Sequence, residues 1–132
     1  MVLVDTSVLI SYLKGQDNNE TIKFNTILER NIPYGITNHI YQELLQGARD
    51  ENEFNKLKEY FSTQIFFDLQ NGKKSYEDAA LINIKCRKSG YTIRSTIDLI
   101  ITQTAIENNL LLLHQDKDFI RIAEIIKTLK FF

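Results

Sequence analysis

Short apolar runs alternate with helix-length segments along the whole chain, and this alternation constrains the fold more than any other feature. The runs are VLV (2–4), YGI after Pro33, QIFFDL (64–69), LLLL (110–113) and a short TLKFF at 128–132. The first is continuous and β-branched, as expected of a strand buried on both faces. Between them lie stretches with helical spacing. SVLISYLK stops at Gly15, NETIKFNTILER carries Ile22, Ile27 and Leu28, and Thr37 caps NHIYQELLQGA. ENEFNKLKEYF is charged and amphipathic, and a long helix runs from Lys73 to Ser89 between the Asn71–Gly72 break and Gly90. Ser95 opens TIDLIITQTAIEN, and DKDFIRIAEII completes the series. Strands that alternate with helices predict a three-layer α/β/α sandwich around a mostly parallel central sheet. With no repeat, linker or low-complexity tract, the 132 residues form one domain, 1–132.

Sixteen basic and 17 acidic residues leave a net charge of -1, so no global positive field attracts a polyanion. Such a ligand would need a local basic patch or a metal. One cysteine, Cys86, excludes an internal disulfide, and with two histidines it makes a poor zinc set. No apolar run reaches transmembrane length and no basic segment precedes a signal-like stretch, so a cytoplasmic protein with no membrane partner is expected.

Four acids sit where strands or apolar helix faces should be. Asp5 ends VLV, and Asp116 follows LLLLHQ in the same way; both fall at the carboxyl edge of a parallel sheet, where ligands bind. Either can instead cap the next helix, as can Thr6. Around the helix from Ser95, 100° per residue puts Gln103 and Glu107 on one side. Asp98 falls opposite, with Ile101, Thr102 and Ala105, on the face that should meet the sheet. A capping box with Ser95 explains an acid at this point, though not its inward direction. Glu43 lies at the margin between the stripe Ile40, Leu44, Ala48 and the polar side His39, Gln42, Gln46, where a solvated glutamate would look the same. If the four converge, each pair about 5 Å apart repels by about 3 kcal/mol at an effective dielectric of 20. No lysine or arginine accompanies them. A divalent cation resolves the conflict, and carboxylates are the ligands Mg²⁺ or Mn²⁺ prefers.

VDTSVLI at the start, ELLQGAR in the middle, IDLIITQTA and LHQDKDF resemble the PIN-domain nucleases, specifically the VapC-type toxins of bacterial toxin–antitoxin pairs. The resemblance spans nearly the whole chain. It implies a PIN-like fold in which Asp5, Glu43, Asp98 and Asp116 form a catalytic, metal-binding quartet. Thr6 is then the hydroxyl beside the first aspartate, and Asp118 an accessory acid. His114 departs from the family pattern, which often has a hydroxyl two positions before the fourth acid. The implied activity is Mg²⁺- or Mn²⁺-dependent endoribonuclease cleavage of tRNA or another structured RNA, leaving a 5′-phosphate and a 3′-hydroxyl. The implied partners are RNA, a cognate antitoxin and a second copy in a homodimer.

From Ala79 to Ile97 there is no acid, whereas Lys85, Arg87, Lys88 and Arg94 all occur. They are candidate RNA contacts, Arg94 foremost because it lies nearest Asp98; the others can equally complement a helix dipole. Two rival readings remain at this level. One is a receiver-like phosphorylation switch using Asp68, although Thr6 and Ser7 stand where its second acid is needed. The other is a catalytically silent PIN binding domain.

Overall fold

The computed structural model describes residues 1–132. Its elements run β1 (Val2–Val4), α1 (Thr6–Leu13), α2 (Asn19–Glu29), β2 (Tyr34–Ile36), α3 (Asn38–Gln46) and α4 (Glu51–Phe61). They continue with β3 (Ile65–Phe66), α5 (Lys73–Lys88), α6 (Thr96–Glu107), β4 (Leu111–Leu113), α7 (Lys117–Ile125) and β5 (Lys130–Phe131). All strand pairs are parallel, in the order β3-β2-β1-β4-β5. The chain steps from β1 outward through β2 to β3, then returns to the far side of β1 for β4 and β5. Right-handed crossovers therefore put α1–α4 over one face of the sheet and α5–α7 over the other. The packing agrees, since α1 meets α2 and α3, α3 meets α4, and α5 meets α6 and α7. The expected α/β/α sandwich is the observed fold.

β1 and β4 are the centre of the core. Val2, Leu3, Val4, Leu112 and Leu113 are each at most 2% exposed, packed with Val8, Ile27, Ile36, Ile40, Phe119 and Ile122 from both helical layers. Strands of three residues suffice because both faces are covered and all their side chains but Leu111 are buried. β2 requires glycine at position 35 for a different reason. A Cβ there would stand 2.5 Å from both the Ile65 carbonyl oxygen and the Phe67 ring, so β3 could not approach.

The edge strands are shorter than their apolar runs predict. QIFFDL yields only Ile65–Phe66, with one further ladder bond from the Phe67 N–H to the Ile36 carbonyl. Beyond it, side chains at the C-terminal end of α6 and its cap, Asn108, capture the backbone. Asn108 Nδ2 donates to the Asp68 carbonyl (3.0 Å), and Glu107 Oε1 accepts from the Gln70 N–H (3.1 Å). Ser75 Oγ and Asn71 Nδ2 donate to the same Glu107 oxygen. This corrects the reading of α6 as a helix with one polar side. Every residue from Leu99 to Ala105 is buried, Gln103 included, because α5 covers the face that the sheet does not. Buried Gln103 reaches Glu107, and partly buried Glu107 binds a neighbouring helix and loop. No helix is long and apolar enough to cross a membrane.

Candidate active site

The direction of strand connection reverses between β1 and β4, and at this point the carboxyl ends of two neighbouring strands diverge to leave a crevice. Val4 pairs with Leu113, and the next residue, Asp5, donates its N–H to the Leu113 carbonyl (2.9 Å). Asp5 thus leaves β1 beside the loop 114–116 that leaves β4. It also caps α1: Asp5 Oδ2 accepts from the Ser7 N–H (3.1 Å) and from Ser7 Oγ (2.6 Å). Asp116 caps α7, its Oδ1 accepting from the Asp118 N–H (2.9 Å). Capping and a place in the crevice are not alternatives here, because a helix that starts at the sheet edge puts its cap in the crevice.

Asp98 resolves differently. Ser95 Oγ accepts from the Asp98 N–H (3.3 Å), but the reciprocal bond of a capping box is missing, and no donor of the chain reaches the Asp98 carboxylate. The side chain instead joins Asp116 and Asp118, with one oxygen from each lying within 4.8 Å of the others. Burial, and then the charges of Asp116, Asp5, Asp118 and Glu43, push the Asp98 carboxyl up to about 7. Asp5 is also raised by burial, against hydrogen bonds from Ser7 that lower it. Half-buried Glu43, on α3, is raised by burial and next by Asp5. The close cluster is thus Asp98, Asp116 and Asp118, while Asp5 and Glu43 stand outside it but near enough for their charges to raise Asp98.

Direct ion pairing of the cluster is almost absent. The molecule has three ion pairs, Arg49–Glu53, Lys74–Asp78 and Arg121–Asp118, and only the last touches the cluster. Thr6 Oγ1 is buried without a hydrogen-bond partner, the one such side-chain atom in the protein. Its hydroxyl is close enough to Glu43 to hold that carboxyl down slightly, but it does not reach hydrogen-bond geometry. An all-oxygen donor set, an excess of negative charge and an unsatisfied buried hydroxyl fit a hard divalent cation. His114 does not complete this set. Its Nδ1 accepts from the Asp116 N–H (3.1 Å), its ring packs against Phe119 and Phe131, and burial lowers its pKa.

Of the four basic candidates, the structure brings Arg94 to the carboxylates. It shares an open cleft of about 450 Å³ with Ser7, Gln115, Asp116, Lys117, Asp118 and Arg121. Lys85, Arg87 and Lys88 are exposed in the last turn of α5, where they oppose its dipole, and none lines that cleft. Lys117 and Arg121 were not among the sequence candidates, although Arg121 stands three residues from Asp118 on one helix face. Ser7 and Gln115 were missed too, and Gln115 carries no local signal, since its partners lie about a hundred residues away. Asp68 is exposed at the end of edge strand β3, held by Asn38 Nδ2 (3.3 Å), and is not brought to Asp5.

The PIN domain family model matches residues 2–125. Among characterised relatives, the chain is 28% identical over 126 residues to VapC ribonuclease Mb1587 of Mycobacterium bovis and to ribonuclease VapC11 of Mycobacterium tuberculosis. The match covers 95% of this chain and 93% of each relative. Among solved structures, VapBC2 of Rickettsia felis bound to a DNA fragment from its promoter superposes with a TM-score of 0.74 at 18% identity, covering 100% of this chain and 98% of that one. VapBC-1 of nontypeable Haemophilus influenzae superposes with a TM-score of 0.71 at 22% identity, covering 100% and 97%. These last two likenesses are of fold.

Proposed function

The chain belongs to the PIN domain family, and from that premise we propose that it is a Mg²⁺- or Mn²⁺-dependent endoribonuclease, the toxin of a toxin–antitoxin pair. One observation carries the reading. Asp98, Asp116 and Asp118 gather at the switch point of a parallel sheet, Asp5 at the end of β1 and Glu43 of α3 are near enough for their charges to raise Asp98, and no basic side chain pairs with any of the quartet. A fold does not keep such a cluster for stability, because its mutual repulsion opposes folding. The ribonuclease names of the two mycobacterial relatives support the same activity.

Asp5 and Asp98 are the direct ligands in this reading; Glu43 and Asp116 act directly, through water or on a second ion. A bound cation supplies a water of lowered pKa and offsets charge on the scissile phosphate. The remaining work belongs to the chain. The uncompensated carboxylates exclude a polyanion until their charge is neutralised. Arg94 and Lys117 then hold phosphates flanking the cut, and Arg121 divides its charge between Asp118 and the cleft. The Thr6 hydroxyl, buried without a partner and near Glu43, would be free to donate to the attacking water and orient it. The substrate is tRNA or another structured RNA in the cytoplasm. A second copy forms a homodimer, and a small antitoxin silences the site.

Cleavage of a labelled structured RNA with Mn²⁺, against an EDTA control, tests the reading. Wild-type protein should cut, and folded Asp5→Asn and Asp98→Asn should lose at least a hundredfold in rate, the scale of a lost metal-ion contribution. Equal cutting by either variant, or none by the wild type, refutes it.

A further inference from the structure

Asp5 and Asp116 come from opposite ends of the chain, and their relative placement rests on a short chain of hydrogen bonds. Ser7 Oγ donates to Asp5 Oδ2 (2.6 Å) and accepts from the Gln115 N–H (3.1 Å), so a single hydroxyl links the first carboxylate to the residue before the fourth. The Gln115 side chain is held at both polar atoms. Its Oε1 accepts from Ser11 Oγ (2.8 Å), on a buried residue one turn beyond Ser7 along α1, and its Nε2 donates to Asn18 Oδ1 (2.9 Å). Asn18 is the N-cap of α2, and its Oδ1 already accepts from the Thr21 N–H (2.9 Å). That bond makes Asn18 Oδ1 an acceptor and so fixes which way the Gln115 amide faces.

We infer that Gln115 is a positioning residue, which through Ser7 sets where the Asp116 carboxylate stands relative to Asp5. An uncharged amide at this reach accepts from a hydroxyl and donates to a carbonyl oxygen at once. A glutamate would repel Asn18 Oδ1, and an aliphatic side chain would release both partners. The loop between β4 and α7 is three residues long, so anchoring Gln115 at its backbone and at both side-chain atoms leaves its neighbour Asp116 little freedom. Asp116 in turn has one oxygen taken by the Asp118 N–H, which restricts the direction in which the other is presented. The inference rests on the metal-nuclease reading above and deepens it, by naming the residues that hold the ligands in register. Partners that orient metal ligands cost roughly 10- to 100-fold in affinity when removed.

Gln115→Met keeps the volume and deletes both side-chain bonds; Ser7→Ala breaks the link, and Ser7→Thr retains the hydroxyl. Mn²⁺ affinity by isothermal titration, kcat and KM for RNA cleavage, and melting in EDTA are measured on each. Gln115→Met and Ser7→Ala should weaken Mn²⁺ about tenfold and lower kcat with KM unchanged, while Ser7→Thr stays near wild type. If wild-type protein binds Mn²⁺ and cuts RNA but Gln115→Met and Ser7→Ala match it in both, the network is only structural, and the inference falls while the nuclease reading stands. If the wild type neither binds nor cuts, both fall. Should Gln115→Met not fold, the contrast between Ser7→Ala and Ser7→Thr decides.

Discussion

Replacing Asp98 with asparagine should stabilise the metal-free protein at pH 8 and change little near pH 4. The Asp98 carboxyl is raised from 3.8 to about 7, by burial first and then by four neighbouring acids. Its folded pKa is therefore above its unfolded one. Between those values the native state holds a proton that the unfolded chain has released. The group's contribution is thus most favourable below about pH 4, declines as pH rises, and is fully lost above about pH 7. At about 1.4 kcal/mol per pH unit the full gap corresponds to about 4 kcal/mol. Asp98 is only partly buried, and solvent screening there reduces the expected effect to on the order of 2 kcal/mol. Urea denaturation in EDTA at pH 5 and pH 8, comparing wild type with Asp98→Asn, measures it as a difference in which the other titrating groups largely cancel. Since about two of the three pH units of that gap lie above pH 5, the variant should gain on the wild type by roughly 1 kcal/mol between the lower and the higher pH. A gap between the two proteins that is the same at both pH values, or that favours aspartate at pH 8, would refute the picture of an uncompensated cluster.

Millimolar Mn²⁺ should reverse that order at pH 8, raising the melting temperature of the wild type by several degrees and that of Asp98→Asn by much less, as a thermal shift assay will report. Arg94→Ala should weaken RNA binding and reduce its salt slope by about one, the signature of one lost phosphate contact, and Lys85→Ala should leave the slope nearly unchanged. Gly35→Ala should cost about 1–3 kcal/mol in denaturant unfolding, because its Cβ would collide with the Ile65 carbonyl and the Phe67 ring.

The helices were legible because their signals are local. Thr37, Ser95 and Gly90 mark their ends by their own chemistry, and Thr37 and Ser95 do accept the N–H bonds expected of caps. β3 was overestimated because an apolar run cannot reveal that Glu107 and Asn108, some forty residues on, will take its backbone out of the sheet. The same limit misled the reading of α6. Periodicity finds the face of a helix that meets one neighbour, but α6 has two, and its polar residues bond each other, α5 and a loop.

Alternation of apolar runs and helical segments was enough to specify a parallel α/β/α sandwich, since period, caps and breaks act over a few residues. The out-of-place acids were visible for the same reason: a carboxylate that interrupts an apolar pattern stands out in one dimension. Tertiary structure alone decided that Asp5 and Asp116 flank one crevice, that Asp118 joins Asp98, and that Arg94, not Lys85, Arg87 or Lys88, shares a cleft with Asp116 and Asp118. Those facts depend on β4 returning to the side of β1 away from β2. Hydrogen bonds across a hundred residues, such as Ser7 to Gln115, are fixed by the order of strands in space, and nothing in a local pattern encodes that order.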